Sequence, residues 1–175
     1  MIKIILIVVA MLIAGVLVFA ATKPNGFQVQ RSASIKAPPE QVFPLINDLK
    51  QWGAWSPWEK KDRGMKRTFG AITAGKGATY SWDGNKDVGK SSMKITDAVP
   101  SSQIRLRLDF ETPFEAHNSV TFRLEPRDGG TQVIWLMEDP VPYFAKIIHV
   151  FINMDRMIGA DFEAGLANCK AWAEQ

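Results

Sequence analysis

Between residues 78 and 138 apolar and polar side chains alternate with a period of two, and beyond residue 143 the period lengthens to three or four. A period of two puts successive side chains on opposite faces of a strand, whereas a period near 3.6 draws one stripe along a helix. The alternation predicts antiparallel meander strands. Ala78, Tyr80 and Trp82 share a face, as do Met93 and Ile95, and then Ile104, Leu106, Leu108 and Phe110. Two more strands follow: 114–125, with Ala116, Asn118, Val120, Phe122 and Leu124 inward, and 131–138, with Val133, Trp135 and Met137 inward. Turn formers separate them at Asp83-Gly84-Asn85, Pro100-Ser101-Ser102, Glu111-Thr112-Pro113 and Arg127-Asp128-Gly129-Gly130. Upstream, 27–35 reads as a half-buried first strand with Phe27, Val29, Ala33 and Ile35 inward. Ala37-Pro38-Pro39-Glu40 then opens a short helix reaching about Asp48.

Residues 143–174 carry the helical stripe: Ile147, Phe151, Met154, Ile158, Phe162, Leu166, Cys169 and Trp172. The other side holds Lys146, Asn153, Arg156, Asp161, Glu163, Lys170 and Glu174. Pro140 and Pro142 stop the preceding strand and suit a helix start near Tyr143. One unbroken helix would exceed about 40 Å at 1.5 Å per residue, so a break is expected near Asn153. Gly159 and Gly165 each weaken a helix interior by about 1 kcal/mol relative to alanine, which points to close approach by a strand or a ligand. The whole describes an α+β grip, a curved antiparallel sheet wrapped around a long C-terminal helix.

Residues 4–21 form an apolar run without a charge, proline or polar side chain, long enough to span a bilayer. A cleaved signal peptide is the alternative, with Val18-Phe19-Ala20 as its cleavage region. The apolar core exceeds the usual 7 to 15 residues and Lys3 is the only basic residue before it, so an uncleaved single-pass anchor is the expectation. The organisation expected is an anchor over 1–21, a turn-forming linker over 22–26 and one domain over 27–175. Lys3 on one side is matched by Lys23, Arg31 and Lys36 on the other, so charge does not fix the topology. The short N-terminal tail favours a domain on the periplasmic or extracytoplasmic side.

With 175 residues the chain can bury a core of its own. Its net charge is +3, of which Lys3 contributes one, so the remainder at +2 carries no nucleic-acid signature. Lys60, Lys61, Arg63, Lys66 and Arg67 read as a solvated loop, with contact to anionic headgroups as the functional alternative.

From residue 27 to the C-terminus the chain resembles the START-like helix-grip superfamily, polyketide cyclase/dehydrase type. The resemblance rests on Ala37-Pro38-Pro39-Glu40-Gln41-Val42-Phe43, on Asp48, Trp52 and Trp55-Ser56-Pro57-Trp58, on Gly129-Gly130-Thr131 with Val133 and Trp135, and on Gly159-Ala160-Asp161-Phe162-Glu163 with Gly165-Leu166. It implies a deep apolar cavity between helix and sheet. It carries no fixed catalytic motif, since relatives of this fold include lipid carriers, secondary-metabolite binders and a few cyclases.

Gly70-Ala71-Ile72-Thr73-Ala74-Gly75-Lys76-Gly77 mimics a phosphate-binding loop, yet glycine replaces the hydroxyl residue after the lysine and a strand follows where a helix is needed. His117, His149 and Cys169 are too few for a site of imidazoles and thiolates, so no metal or cofactor is expected. Cys169, on the apolar stripe, reads as a small buried hydrophobe. His117 should point outward with Ser119 and Thr121. Asp48 reads as a cap or turn acceptor. Asn118 is polar on an apolar face and needs a partner.

Large apolar residues with few polar tips line small-molecule pockets as well as cores. The expected lining is Trp55, Trp58, Tyr80, Trp82, Met93, Phe110, Asn118, Phe122, Trp135 and Met137 from the sheet side, with Phe151, Met154, Ile158 and Phe162 from the helix. Trp52, Trp55 and Trp58 are expected at a movable rim near the membrane, at least one ring partly exposed, the alternative being that Trp55 and Trp58 pack on the sheet. The function expected is binding of a hydrophobic or amphipathic small molecule or lipid without chemistry. A cyclase or dehydrase using Asp48, Asn118 or His149 as donors, and a scaffold with a filled cavity, are the rivals.

Overall fold

In the computed structural model, residues 1–112, 115–141, 143–151 and 153–175 are described, apart from the side chains of Phe144, Ala145, Ile148 and His149. The expectations placed on Phe114 and His149 therefore lie outside the described residues. Seven strands form one antiparallel sheet in the order β1-β7-β6-β5-β4-β3-β2. They are β1 (Gly26–Ile35), β2 (Lys66–Phe69), β3 (Thr79–Asp83), β4 (Lys90–Val99), β5 (Gln103–Thr112), β6 (Ala116–Arg127) and β7 (Gly130–Pro140). From β3 to β7 the chain is a meander whose turns use residues that tolerate positive φ, such as Asp128 (φ 50°) and Gly129 (φ 75°) between β6 and β7. β1 closes the far edge by pairing with β7, Val29 opposite Met137 and Ala33 opposite Val133.

Six helices accompany the sheet among the described residues: α1 (Ile2–Ala21), α2 (Pro39–Asn47), α3 (Trp52–Trp55), α4 (Pro57–Lys61), α5 (Tyr143–Phe151) and α6 (Met154–Ala173). A 3₁₀ turn, Leu49–Gln51, joins α2 to α3 and is capped by the Asp48 carboxylate, which accepts the Lys50 amide at 3.0 Å. The C-terminal helix breaks where its length required it. Asn153 caps α6 by accepting the Arg156 amide at 2.9 Å.

The stretch from Lys60 to Arg67 differs from the expected solvated loop. It contains the end of α4 and the start of β2, with Lys61 paired to Asp161 on α6 at 2.7 Å and Arg67 paired to Glu59 at 2.7 Å. Its Lys-Arg-Thr-Phe strand has only one apolar residue, so alternation was invisible there. The decoy glycine loop instead packs beside the 3₁₀ turn, where Thr73 accepts the Leu49 amide at 2.8 Å.

Both helix glycines mark close approach to a strand. A methyl at Gly159 would collide with the Arg31 guanidinium on β1, and one at Gly165 would sit 2.8 Å from Cζ3 of Trp135 on β7. Arg31 fills the first gap and binds α6 through Asp155 at 2.9 Å and Glu163 at 2.6 Å. The sheet thus grips α6 along β1 and β7.

Candidate functional site

The inner face of the sheet divides into a solid half and an open half. In the solid half Phe122 and Trp135 stand on paired strands with ring centroids 4.7 Å apart, and Phe162 of α6 stacks on Trp135. Trp52 and Trp55 press edge-on to Trp135 at 6.4 and 5.7 Å. Their indole N–H groups donate to the carbonyls of Ile46 and Leu45 at 2.9 and 2.8 Å, which satisfies two polar atoms inside an aromatic core.

This corrects the expected tryptophan rim. Trp52 and Trp55 are buried, because a spacing of three residues on one helical turn aims both rings the same way. Trp58 is half-buried and packs edge-on to Trp135 and Phe162. Trp55, Phe122, Trp135 and Phe162, expected to line a cavity, occupy one another's space. The sequence displayed these rings as a set of large apolar residues without saying which of them touch.

The open half lies toward one end of the strands. Register aligns Tyr80, Met93, Leu108 and Asn118 across β3 to β6, and then Trp82, Ser91, Phe110 and Ala116 as the last row. Trp82, Leu108, Phe110 and Ala116 are only half-buried although they face inward, and so are Met154 and Ile158 on the first turns of α6. Met93 and Met137 are buried behind them. Trp82, Leu108 and Ile158 still pack against the core on one side and are open to solvent on the other.

Two polar groups punctuate this surface. Ser91 is buried, and among the described residues its hydroxyl has no hydrogen-bond partner, as is also true of the Trp135 indole N–H in the solid half. A buried hydroxyl without a partner costs about 1 to 3 kcal/mol. Asn118, two strands away on β6 and one inward row deeper, is also buried. Neither its amide nor the Ser91 hydroxyl is charged. Sequence reasoning passed over Ser91, whose place on the Met93–Ile95 face was its only signal. At the side of the site Tyr80 donates its hydroxyl to Glu59 at 2.6 Å, and burial followed by that bond raises its pKa.

Other expected participants fall elsewhere. Phe151, predicted on the inner stripe, is 73% exposed, and Trp172 is exposed too. Phe151 belongs to α5, separated from α6 by the break at Asn153, and Trp172 lies in the last turn of α6, beyond the packed part of the stripe. Asp48 is committed to its cap and cannot serve as a donor in the grip. His117 points outward and pairs with Asp109 at 2.6 Å. An open groove of about 620 Å³ lies at the end of the sheet where β1 begins, bordered by Gln28, Ser119, Glu138 and Asp139, and its polar margin does not match the apolar open half.

Comparison with solved structures finds the same fold. Protein CV1439 from Chromobacterium violaceum superposes with a TM-score of 0.60 at 18% identity, over 87% of this chain and 99% of that one. DynU16, a protein of the dynemicin biosynthetic locus, gives 0.60 at 13% identity over 87% of this chain and 48% of its own. Ara h 8.0201 gives 0.57 at 11% identity, over 85% of this chain and 97% of that one. No curated protein matches the chain. A family model described as polyketide cyclase/dehydrase and lipid transport matches residues 26–174, the whole of the sheet and α6, and the chain belongs to that family.

Proposed function

We propose that the protein is a single-pass, membrane-anchored binder of a hydrophobic or amphipathic small molecule, held in the open half of the grip and released unchanged. In this reading residues 1–21 are the anchor, 22–26 a linker and 27–175 the binding domain, on the periplasmic or extracytoplasmic side. The observation that carries it is the Ser91 hydroxyl, buried without a partner inside a ring of half-buried apolar side chains. A ligand with an apolar body and one polar atom would satisfy both. The family's lipid-transport members make such a ligand a natural expectation. α1 supports the anchor: it is 20 residues long, has a mean hydropathy of 3.2 and leaves its apolar surface almost wholly uncovered.

The test is to purify the full chain in membrane discs, separate it from bulk lipid in mild detergent and identify the small molecules retained by mass spectrometry. Wild type should retain one species in near one-to-one ratio, and Ala116→Trp, which narrows the opening, should lose it. No retained molecule in either form defeats the binding reading.

A further inference from the structure

The open half and the anchor lie at the same end of the molecule. β1 leaves the linker at Gly26, which pairs with Pro140, and Ser119 of β6 pairs with Glu138 close by. Three residues further toward that end, Ala116 pairs with Phe110, which pairs with Ser91, which pairs with Trp82. The last inward row is therefore the margin of the sheet that faces the C-terminus of α1. The solid aromatic half lies deeper, at the level of Arg31 and Trp135.

α5 packs against α1. Its first residue, Tyr143, donates its hydroxyl to the carbonyl of Leu17 at 2.8 Å, four residues before the end of α1. At 1.5 Å per residue that is about 6 Å inside the helix end, the depth at which tyrosine hydroxyls meet headgroups. One turn later Lys146, buried, donates to the Lys23 carbonyl at 2.9 Å and the Asn25 side chain at 2.6 Å. These contacts tie α5 to the end of α1 and to the linker. Phe151 closes α5 with its ring exposed, and Met157 follows in α6.

The chemistry of the inner face narrows the ligand. Along β3 to β7 no inward position is lysine or arginine. Arg31 of β1 is engaged by Asp155 and Glu163. Asp139 stands near that end, where burial raises its pKa and the charges of His117 and Arg107 lower it. Against β3 to β7 a phosphate head would meet no inward lysine or arginine, and Lys146 is already engaged by the Lys23 carbonyl and the Asn25 side chain. Ser91 and Asn118 suit a hydroxyl, ester or carbonyl.

We propose that the grip takes its ligand directly from the bilayer that holds α1, and that this ligand is a neutral-headed lipid, an apolar chain ending in hydroxyl, ester or ketone groups, rather than a phospholipid. The proposal rests on the binding reading above and adds the route and the head-group class. In this proposal α5, tied to both α1 and the linker, is the element that shifts for exchange.

The test uses the full chain in phosphatidylcholine vesicles doped with diacylglycerol brominated on its acyl chains, or with phosphatidylglycerol brominated in the same way. Quenching at Trp82 is read as the difference between wild type and Trp82→Phe. Diacylglycerol should quench Trp82 saturably, at least fivefold more than phosphatidylglycerol at equal mole fraction, and Ala116→Trp should abolish the saturable part. Equal quenching by both lipids, or quenching that only rises linearly as in bilayer collision, overturns the proposal. A parallel measurement delivers the same diacylglycerol to the full chain in detergent micelles. Saturable quenching in micelles but not from vesicles leaves the binding reading standing and removes the bilayer route. Quenching in neither removes the neutral-head class, and the retained-molecule experiment then decides the binding reading separately.

Discussion

Trp135 of β7 and Phe162 of α6 stack face to face, with ring centroids 4.0 Å apart and planes inclined by 10°. The stack is possible because Gly165, one turn beyond Phe162, has no side chain to meet the indole edge. Sheet and helix are thus locked through a flat contact on which Trp55 and Trp58 converge edge-on and Phe122 at a tilt. Trp135→Ala should destabilise by about 3 to 5 kcal/mol, the range for removing a large aromatic from a closed core. Gly165→Ala should cost about 1 to 3 kcal/mol by overpacking against the same ring. Trp82→Ala, at the open margin, should fall well below the Trp135 value. Urea denaturation of the three variants ranks them, and equal losses at Trp82 and Trp135 would place both in solid core.

Ser91→Ala should separate stability from binding. Removing a buried hydroxyl that has no partner relieves an uncompensated desolvation, so the ligand-free variant should be as stable as wild type or up to about 2 kcal/mol more stable. The same change should weaken ligand retention. Melting curves before and after delipidation check both halves. A variant destabilised without ligand would mean that the hydroxyl has a structural bond.

Glu59 accepts from the Tyr80 hydroxyl and from Arg67, tying α4 to β2 and β3. Tyr80→Phe leaves the carboxylate one donor short in a largely covered position. The expected loss is about 1.5 to 3 kcal/mol, measured by chemical denaturation, with Tyr80 packing on Phe69 retained in the variant.

Carboxylates at two places should give opposite pH behaviour. The hydrogen bond from Arg31 lowers the pKa of Asp155, so its stabilising contribution is full above the unfolded carboxyl range near 4 and is lost as pH falls through the lower folded value. Burial raises the pKa of Asp139, so its folded form is favoured below that range and the advantage is lost as pH rises through the folded value. Asp155→Asn should lower the melting temperature at pH 7 and converge on wild type in strong acid. Asp139→Asn should raise it at pH 7 and leave it unchanged at pH 3.

Burial pushes the Cys169 thiol up to about 12, so the thiolate is scarce at neutral pH. Alkylation by iodoacetamide should be negligible in the native protein and complete in denaturant, followed by intact mass. Rapid native labelling would show that α6 opens along its packed face.

The meander was legible in the sequence because each of its strands alternates cleanly, and Asp128-Gly129 announces its turn chemically. The break in the C-terminal helix followed from length alone. What the pattern could not convey was that α5 leaves the stripe: Phe151 lies exposed, while Phe162, Leu166 and Cys169 along α6 stay buried. Nor could it distinguish rings that fill space from rings that border it. That distinction depends on which tryptophan meets which strand, and Trp55 and Trp82 look alike as residues while one is enclosed and the other half-open. β2 escaped notice because an edge strand paired on one side needs little apolar content.

The pairing of β1 with β7 has a consequence for how the chain is made. Its first strand has no partner until the seventh is synthesised, about 100 residues later, which at 5 to 20 residues per second is a wait of roughly 5 to 20 s. During that interval β1 is an unpaired strand beside an apolar helix, with Val29, Ala33 and Ile35 uncovered. α6, which covers the same strand through Arg31, arrives later still. The fold therefore closes late, by joining its two ends, and a truncation before or early in β7 leaves β1 free to pair with another chain.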